Sequence, residues 1–158
     1  MEIPEDHSVK PVLVNPEGVL EAEMLQLARL ISIYAPHDGG FSLGIPGLYV
    51  GRDSQIDTDM VKTFYMPSLG IAVQGAKLVT VGQEVYEYDG TMMHMVPIAL
   101  PGALLTIQAS NSKPFLGVRL ELDPKRIAEW VLKVYPMGLH LVSKWSASYV
   151  TRVDINIV

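Results

Sequence analysis

The chain has no cysteine, which excludes disulfide scaffolds, zinc ribbons and thiol catalysis. Charge is also scarce, since Asp, Glu, Lys and Arg make up 18% of the 158 residues. The 12 Lys and Arg residues are not clustered and the net charge is −5. A protein that grips a phosphate backbone needs a basic patch to displace counterions, and this sequence has none. The acidic start Met1-Glu-Ile-Pro-Glu-Asp6 lacks the apolar run of a signal peptide. The most apolar window, Met92 to Ile107, is broken by His94, Pro97, Pro101 and Gly102 and is too short to cross a bilayer. Together these absences fit a cytoplasmic, membrane-free chain of one domain.

Chemistry-bearing motifs are missing as well. There is no Gly-x-Ser-x-Gly and no glycine-rich phosphate fingerprint at a strand-to-helix junction. The four histidines are His7, His37, His94 and His140. No two lie two residues apart, so no strand can aim a pair of imidazoles at one ion. No catalytic residue, metal site or cofactor is therefore expected. There are no internal repeats or low-complexity tracts.

What is present is an apolar fraction of 49% arranged in short segments. Residues 1–14 carry Pro4 and Pro11 and read as a flexible arm, and residues 15–158 as the folded domain. Asn15-Pro16-Glu17 is a helix start: a capping side chain, proline at the first helical position, then an acid. Leu20, Met24, Leu27, Ile31 and Tyr34 follow at three- and four-residue spacing as one apolar stripe, ended by Pro36, Gly39 and Gly40. From Leu43 the period becomes two, through Ile45, Gly47 and Tyr49, and predicts a strand running into an acidic loop from Arg52 to Asp59.

Six strand-like segments then fill Leu69 to Pro124, with Gly82-Gln83, Asp89-Gly90 and Asn111-Ser112 as hairpin turns. Asp123-Pro124 caps a second helix with Ile127, Trp130, Val131 and Val134 as its buried stripe. Pro136-Met137-Gly138 ends it, and Leu139 to Arg152 fits neither period. Asp154 is a suitable cap with an apolar pattern after it, so the chain is expected to stop at the start of a helix and to be a piece of a longer protein. The other reading is an ordinary last strand. Many short antiparallel strands between two helices predict a mainly β fold, a closed or sandwiched barrel that hides its sheet edges.

One strand suggests a site. In Phe115 to Glu121, Leu116, Val118 and Leu120 share a face and Phe115, Gly117, Arg119 and Glu121 share the other. If the first face packs under a helix, Arg119 and Glu121 enter the barrel and Gly117 leaves room for a ligand. The alternative is a solvated face with a simple ion pair. Thr106 and Gln108, on one face with Leu104, could offer neutral hydrogen bonds to the same cavity. His94 lies mid-strand among methionines, where a satisfied core histidine is the alternative to a ligand contact. The candidate ligand-binding residues are His94, Thr106, Arg119 and Glu121.

The order of several motifs carries a resemblance. Gly47-Leu48 with Arg52, Tyr65-x-Pro67-Ser68, Gln74-Gly75-Ala76-Lys77, Tyr86-x-Tyr88-Asp89, Pro101 and Leu120-x-Leu122-Asp123-Pro124 resemble the N-terminal domain of AraC-type transcriptional regulators. Tyr149 to Val158 resembles the start of that domain's last helices. The resemblance covers residues 16 to 158. It departs from the family at Ile98-Ala99-Leu100-Pro101, where related domains often carry an acid before the proline. It implies a cupin-type double-stranded β-helix, or jelly-roll barrel, that senses an unidentified small-molecule effector and forms a homodimer. DNA would be bound only through helix-turn-helix modules C-terminal to this chain. The rival readings are a metal-dependent cupin isomerase or oxygenase and a ligand-free dimerisation module.

Overall fold

The computed structural model describes residues 16–138 and 148–153. The expected arm over residues 1–14, the cap at Asn15, and the helix start at Asp154 lie outside these residues.

Helix α1 (Pro16–Tyr34) forms where the spacing predicts it. Its buried side is Met24, Ala28, Ile31 and Ala35, with Leu20 and Leu27 packed beside them. Tyr34, assigned to the stripe, is instead 57% exposed. Ala35 takes its place because it lies four residues beyond Ile31, one full turn further along the same face.

The strands are β1 (Gly39–Ser42), β2 (Leu48–Asp53), β3 (Val61–Tyr65), β4 (Ser68–Gln74), β5 (Ala76–Val81), β6 (Glu84–Asp89), β7 (Met92–Val96), β8 (Leu100–Gln108), β9 (Phe115–Glu121) and β10 (Tyr149–Arg152). They form a six-stranded sheet in the order β1-β2-β9-β4-β7-β10 and a four-stranded sheet in the order β3-β8-β5-β6. All the paired strands are antiparallel. From β2 to β9 the chain crosses between the sheets at every connection except β5 to β6. That is a jelly roll, the mainly β architecture the sequence predicts.

Several local expectations change. Of the strand expected from Leu43 to Tyr49, only Leu48 and Tyr49 belong to one, β2, and Leu43 to Gly47 is the turn joining β1 and β2. Leu43 N donates to Leu48 O at 3.1 Å and Leu48 N to Ile45 O at 3.0 Å. Gly44 and Gly47 turn the chain at φ of 75° and 83°, where any side chain would be strained. Gly39 and Gly40, expected to end α1, open β1 instead. The acidic loop begins only after Asp53, because β2 extends through Asp53 against Phe115.

Gly82-Gln83 is the hairpin turn expected between paired strands β5 and β6. Asp89-Gly90 and Asn111-Ser112 are not hairpins, because each links strands in different sheets. At the first, Asp89 Oδ1 accepts from Thr91 N at 3.1 Å and from its Oγ1 at 2.9 Å. This local turn chemistry is legible in sequence, but the sheet each strand joins is not. Tyr149 to Arg152 is strand β10, paired with β7, rather than a helix start.

Helix α2 (Pro124–Val134) is capped as expected, with Lys125 N donating to Asp123 Oδ1 at 2.9 Å. Its expected buried stripe is not buried. No residue of α2 is buried, and Trp130 and Leu132 are 64% and 70% exposed. The periodicity is real, but among the described residues no element covers that face.

The two apolar cores set the site's position. One lies between α1 and the outer face of the six-stranded sheet, where Val50, Val73 and Leu116 meet Met24 and Ile31. The other lies between the sheets, built from Tyr65, Val79, Val81 and Val96. It fills one part of the barrel and leaves the rest open.

Candidate ligand-binding site

A cavity of about 510 Å³ lies between the sheets. Strand alternation decides its walls. On β9 Leu116 and Val118 pack toward α1, so Phe115, Gly117 and Arg119 turn inward and line the cavity. Register extends that inner face across neighbouring strands. Tyr49 pairs with Arg119, Gly51 with Gly117 and Asp53 with Phe115. Gly70 of β4 pairs with Arg119 on one side and His94 on the other.

The space exists because the floor lacks side chains. A Cβ added at Gly70 would come no closer than 3.8 Å to any atom, and one at Gly51 no closer than 3.9 Å. These glycines are not forced by backbone conformation; they keep the barrel open. From the facing sheet Tyr65, Lys77, Val79, Tyr88 and Leu104 close the other side.

Three cations line the wall, each beside an anion. Arg52 Nε lies 3.7 Å from Asp38 Oδ1 and is a buried donor with no hydrogen-bond partner among the described residues. Lys77 Nζ donates to Asp53 Oδ2 at 2.6 Å and lies 4.6 Å from the centre of the Phe115 ring. Its side chain is almost wholly buried. Arg119, half exposed at the mouth, pairs with Glu121 Oε1 at 3.0 Å and stacks over Tyr49 at 5.1 Å.

The remaining polar groups are neutral. His94 is 6% exposed, and burial pulls its pKa down to about 4, so its imidazole is uncharged at neutral pH. Nε2 makes a short hydrogen bond with Ser148 Oγ. The rings of Tyr65 and Tyr88 stand 5.9 Å and 5.5 Å away. Burial raises the Tyr65 hydroxyl to about 12 and Tyr88 beyond that, so both stay protonated. Tyr65 donates to Ala103 O at 3.3 Å. Ser68 is buried, and neither its hydroxyl nor that of Tyr88 makes a hydrogen bond among the described residues.

Of the residues singled out in the sequence, His94 and Arg119 line the cavity together with Gly117. Glu121 stands outside the wall and holds Arg119 from the rim. Thr106 is fully buried behind Asp53, its Oγ1 3.5 Å from Asp53 Oδ2 and its N–H donating to Asp57 Oδ2 at 2.7 Å. It braces the wall and pins the loop after β2. Gln108 lies away from the cavity, in a groove beside α1 with Gln74 and Lys113. A register shift at Ala76/Lys77 breaks the alternation that would have grouped it with Thr106.

Tyr49, Asp53, Ser68, Lys77 and Tyr88 were not picked out as site residues. A signal existed for three of them, since Ser68, Lys77 and Tyr88 fall in the motifs of the resemblance. Among the described residues no three His, Asp or Glu side chains come together to hold a metal ion.

A two-sheet jelly roll with a ligand-sized cavity lined by aromatic rings and a few polar groups defines a small-molecule-binding barrel. The chain belongs to the AraC-type transcriptional regulator N-terminus family, whose family model matches residues 44–157. No curated protein sequence matches it. Among solved structures it is similar to ToxT from Vibrio cholerae, with a TM-score of 0.50 and 14% identity over 69% of this chain and 43% of that one. An apo variant of ToxT matches with a TM-score of 0.43 and 9% identity, over 70% of this chain and 44% of that one. A variant of salicylate 1,2-dioxygenase from Pseudoaminobacter salicylatoxidans matches with a TM-score of 0.40 and 12% identity, over 96% of this chain and 42% of that one. The likeness to the first ToxT structure shows a shared fold. The chain spans less than half the length of these solved proteins.

Proposed function

We propose that this chain is the effector-sensing and dimerising part of a DNA-binding transcriptional regulator. The observation that carries the reading is the open cavity inside a domain of this family. Its volume falls in the range of roughly 300–1,000 Å³ usual for small-molecule sites. The four candidate residues divide the work: His94 and Arg119 touch the effector, Glu121 orients Arg119, and Thr106 braces the wall.

DNA is read by helix-turn-helix modules in a further part of the protein, which accords with the acidic charge and unclustered lysines here. The exposed apolar face of α2 supports self-association, because Ile127, Trp130 and Val134 share one side of a short helix with nothing described above them. Effector binding shifts the arm or flanking helices between two arrangements. The site of action is the cytoplasm. Among the described residues the metal-enzyme reading lacks a donor set, since His94 is their only imidazole in the cavity wall. The ligand-free reading requires a filled barrel, and the open cavity among the described residues weighs against it.

The test is thermal melting of the chain against a broad metabolite library. Sensing predicts that at least one compound raises the melting temperature in proportion to the logarithm of its concentration. A library that never does so removes the sensing role. Sedimentation of Trp130→Ser beside the unmodified chain tests dimerisation, which predicts a shift toward monomer without loss of fold.

A further inference from the structure

The wall chemistry narrows what the cavity accepts. We propose that its effector is an uncharged, planar aromatic molecule carrying a hydrogen-bonding group, rather than an organic acid, an amine or an open-chain lipid. The proposal rests on the sensing reading of the same cavity and adds the ligand's chemical class.

Three observations carry it. The first is charge balance. Lys77 is held at 2.6 Å by Asp53 and Arg119 at 3.0 Å by Glu121, and Arg52, whose Nε makes no hydrogen bond among the described residues, has Asp38 at 3.7 Å. A ligand carboxylate reaching Lys77 would have to share it with Asp53, bringing two like charges together in a poorly solvated space. A ligand cation meets the same difficulty at Lys77 and Arg119. His94 stays neutral and supplies no charge to either.

The second is shape. Gly51 and Gly70 leave the floor bare on the two strands flanking β9, and on β9 the Phe115 ring lies over Gly117, where a Cβ would meet it at 3.1 Å. Tyr49, Tyr65, Tyr88 and Phe115 stand around it. A glycine floor with an aromatic ring lying on it and others around it suits a flat, rigid guest, which also gives up little conformational freedom on binding.

The third is unsatisfied polarity. The Ser68 and Tyr88 hydroxyls line the cavity without a partner, and His94 uses Nε2 but not Nδ1 among the described residues. A guest that displaces water from these groups must offer them a neutral hydrogen bond or leave them unpaired, which is costly.

Calorimetric titration at neutral pH with six probes tests this directly: indole and benzyl alcohol, their acid counterparts indole carboxylate and benzoate, and the non-aromatic hexanoate and ribose. The expected result is that indole and benzyl alcohol bind at least about tenfold tighter than either acid, with hexanoate and ribose weaker still. Gly70→Val should abolish this binding by filling the floor, at a position where its Cβ meets only ordinary contacts of 3.8 Å. Tyr88→Phe should weaken it about tenfold while keeping the ring. Asp53→Asn frees Lys77 and should turn the preference toward the acids. Tighter binding of benzoate, hexanoate or ribose by the unmodified chain overturns the proposal and leaves the sensing role standing. Silence from all six probes also overturns it, and the sensing role then depends on the metabolite library alone.

Discussion

His94 is a buried imidazole, and its chemistry can be read through pH. Its pKa is near 4 in the fold against 6.5 for a free imidazole. As pH falls through 6.5 the unfolded chain takes up a proton that the folded chain refuses until about 4. The stability tied to neutral His94 is therefore whole above about pH 6.5 and is lost progressively down to about pH 4, on the order of 3 kcal/mol in all. His94→Gln should lose less stability than the unmodified chain between about pH 7 and about pH 4.5, as urea unfolding midpoints will show. Gly75 is the other exacting residue. It sits at φ of 76°, and a Cβ there would lie 2.4 Å from Gln108 O. Gly75→Ala should cost at least about 2 kcal/mol, whereas Gly82→Ala, at φ of 62° but facing open space, should cost about 1 kcal/mol. Thermal unfolding of the two variants side by side separates steric clash from backbone preference.

At the scale of elements, the two helices obey the same sequence rules and end in opposite circumstances. α1 lays Met24, Ala28, Ile31 and Ala35 onto the sheet, so tertiary packing stabilises it. α2 has a cap and a periodic apolar face but no buried residue, so its own local interactions matter more. Asp123→Ala removes the bond to Lys125 N and should weaken α2 by about 1 kcal/mol. The loss should appear as faster amide exchange in α2 with the global melting temperature almost unchanged. A global drop of several degrees would mean that α2 is integral to the domain. The strands tell a related story. β9 could be read with its two faces in advance because it alternates cleanly between large and small or charged residues. The strand from Leu43 to Tyr49 could not, because Gly44 and Gly47 carry no side chain to fix a face and permit backbone angles that reverse the chain.

Across the whole molecule, stability should be graded. β2, β9 and β4 are central in the six-stranded sheet and carry the α1 core. Their amides should exchange only on global unfolding, while α2 and the edge strand β1 open earlier. Hydrogen exchange followed by mass spectrometry gives that order. Equal protection in α2 and β9 would show that α2 is covered by something beyond the described residues. The gradation suits a sensor, because a firm barrel around the cavity with a loosely held helix at its side can pass a change outward without losing its fold.

The sequence by itself determined the elements with strong local signals. These were α1 through its spacing and β9 through its alternation. The cap at Asp123 and the turn at Gly82 were equally legible from the residues that make them. It also determined the class of the molecule, since a cysteine-free, weakly charged chain of short strands has few ways to hide its edges other than a closed β sandwich. Tertiary structure alone decided which strands are neighbours, and therefore what surrounds the cavity. Lys77 meets Asp53 across 24 residues, and Thr106 meets Asp57 across 49. Such pairs form because two sheets fold over one another, and no periodicity within a segment encodes that event. For the same reason the apolar face of α2 was legible and its burial was not, because a stripe records what a helix can cover but not whether a partner arrives to cover it.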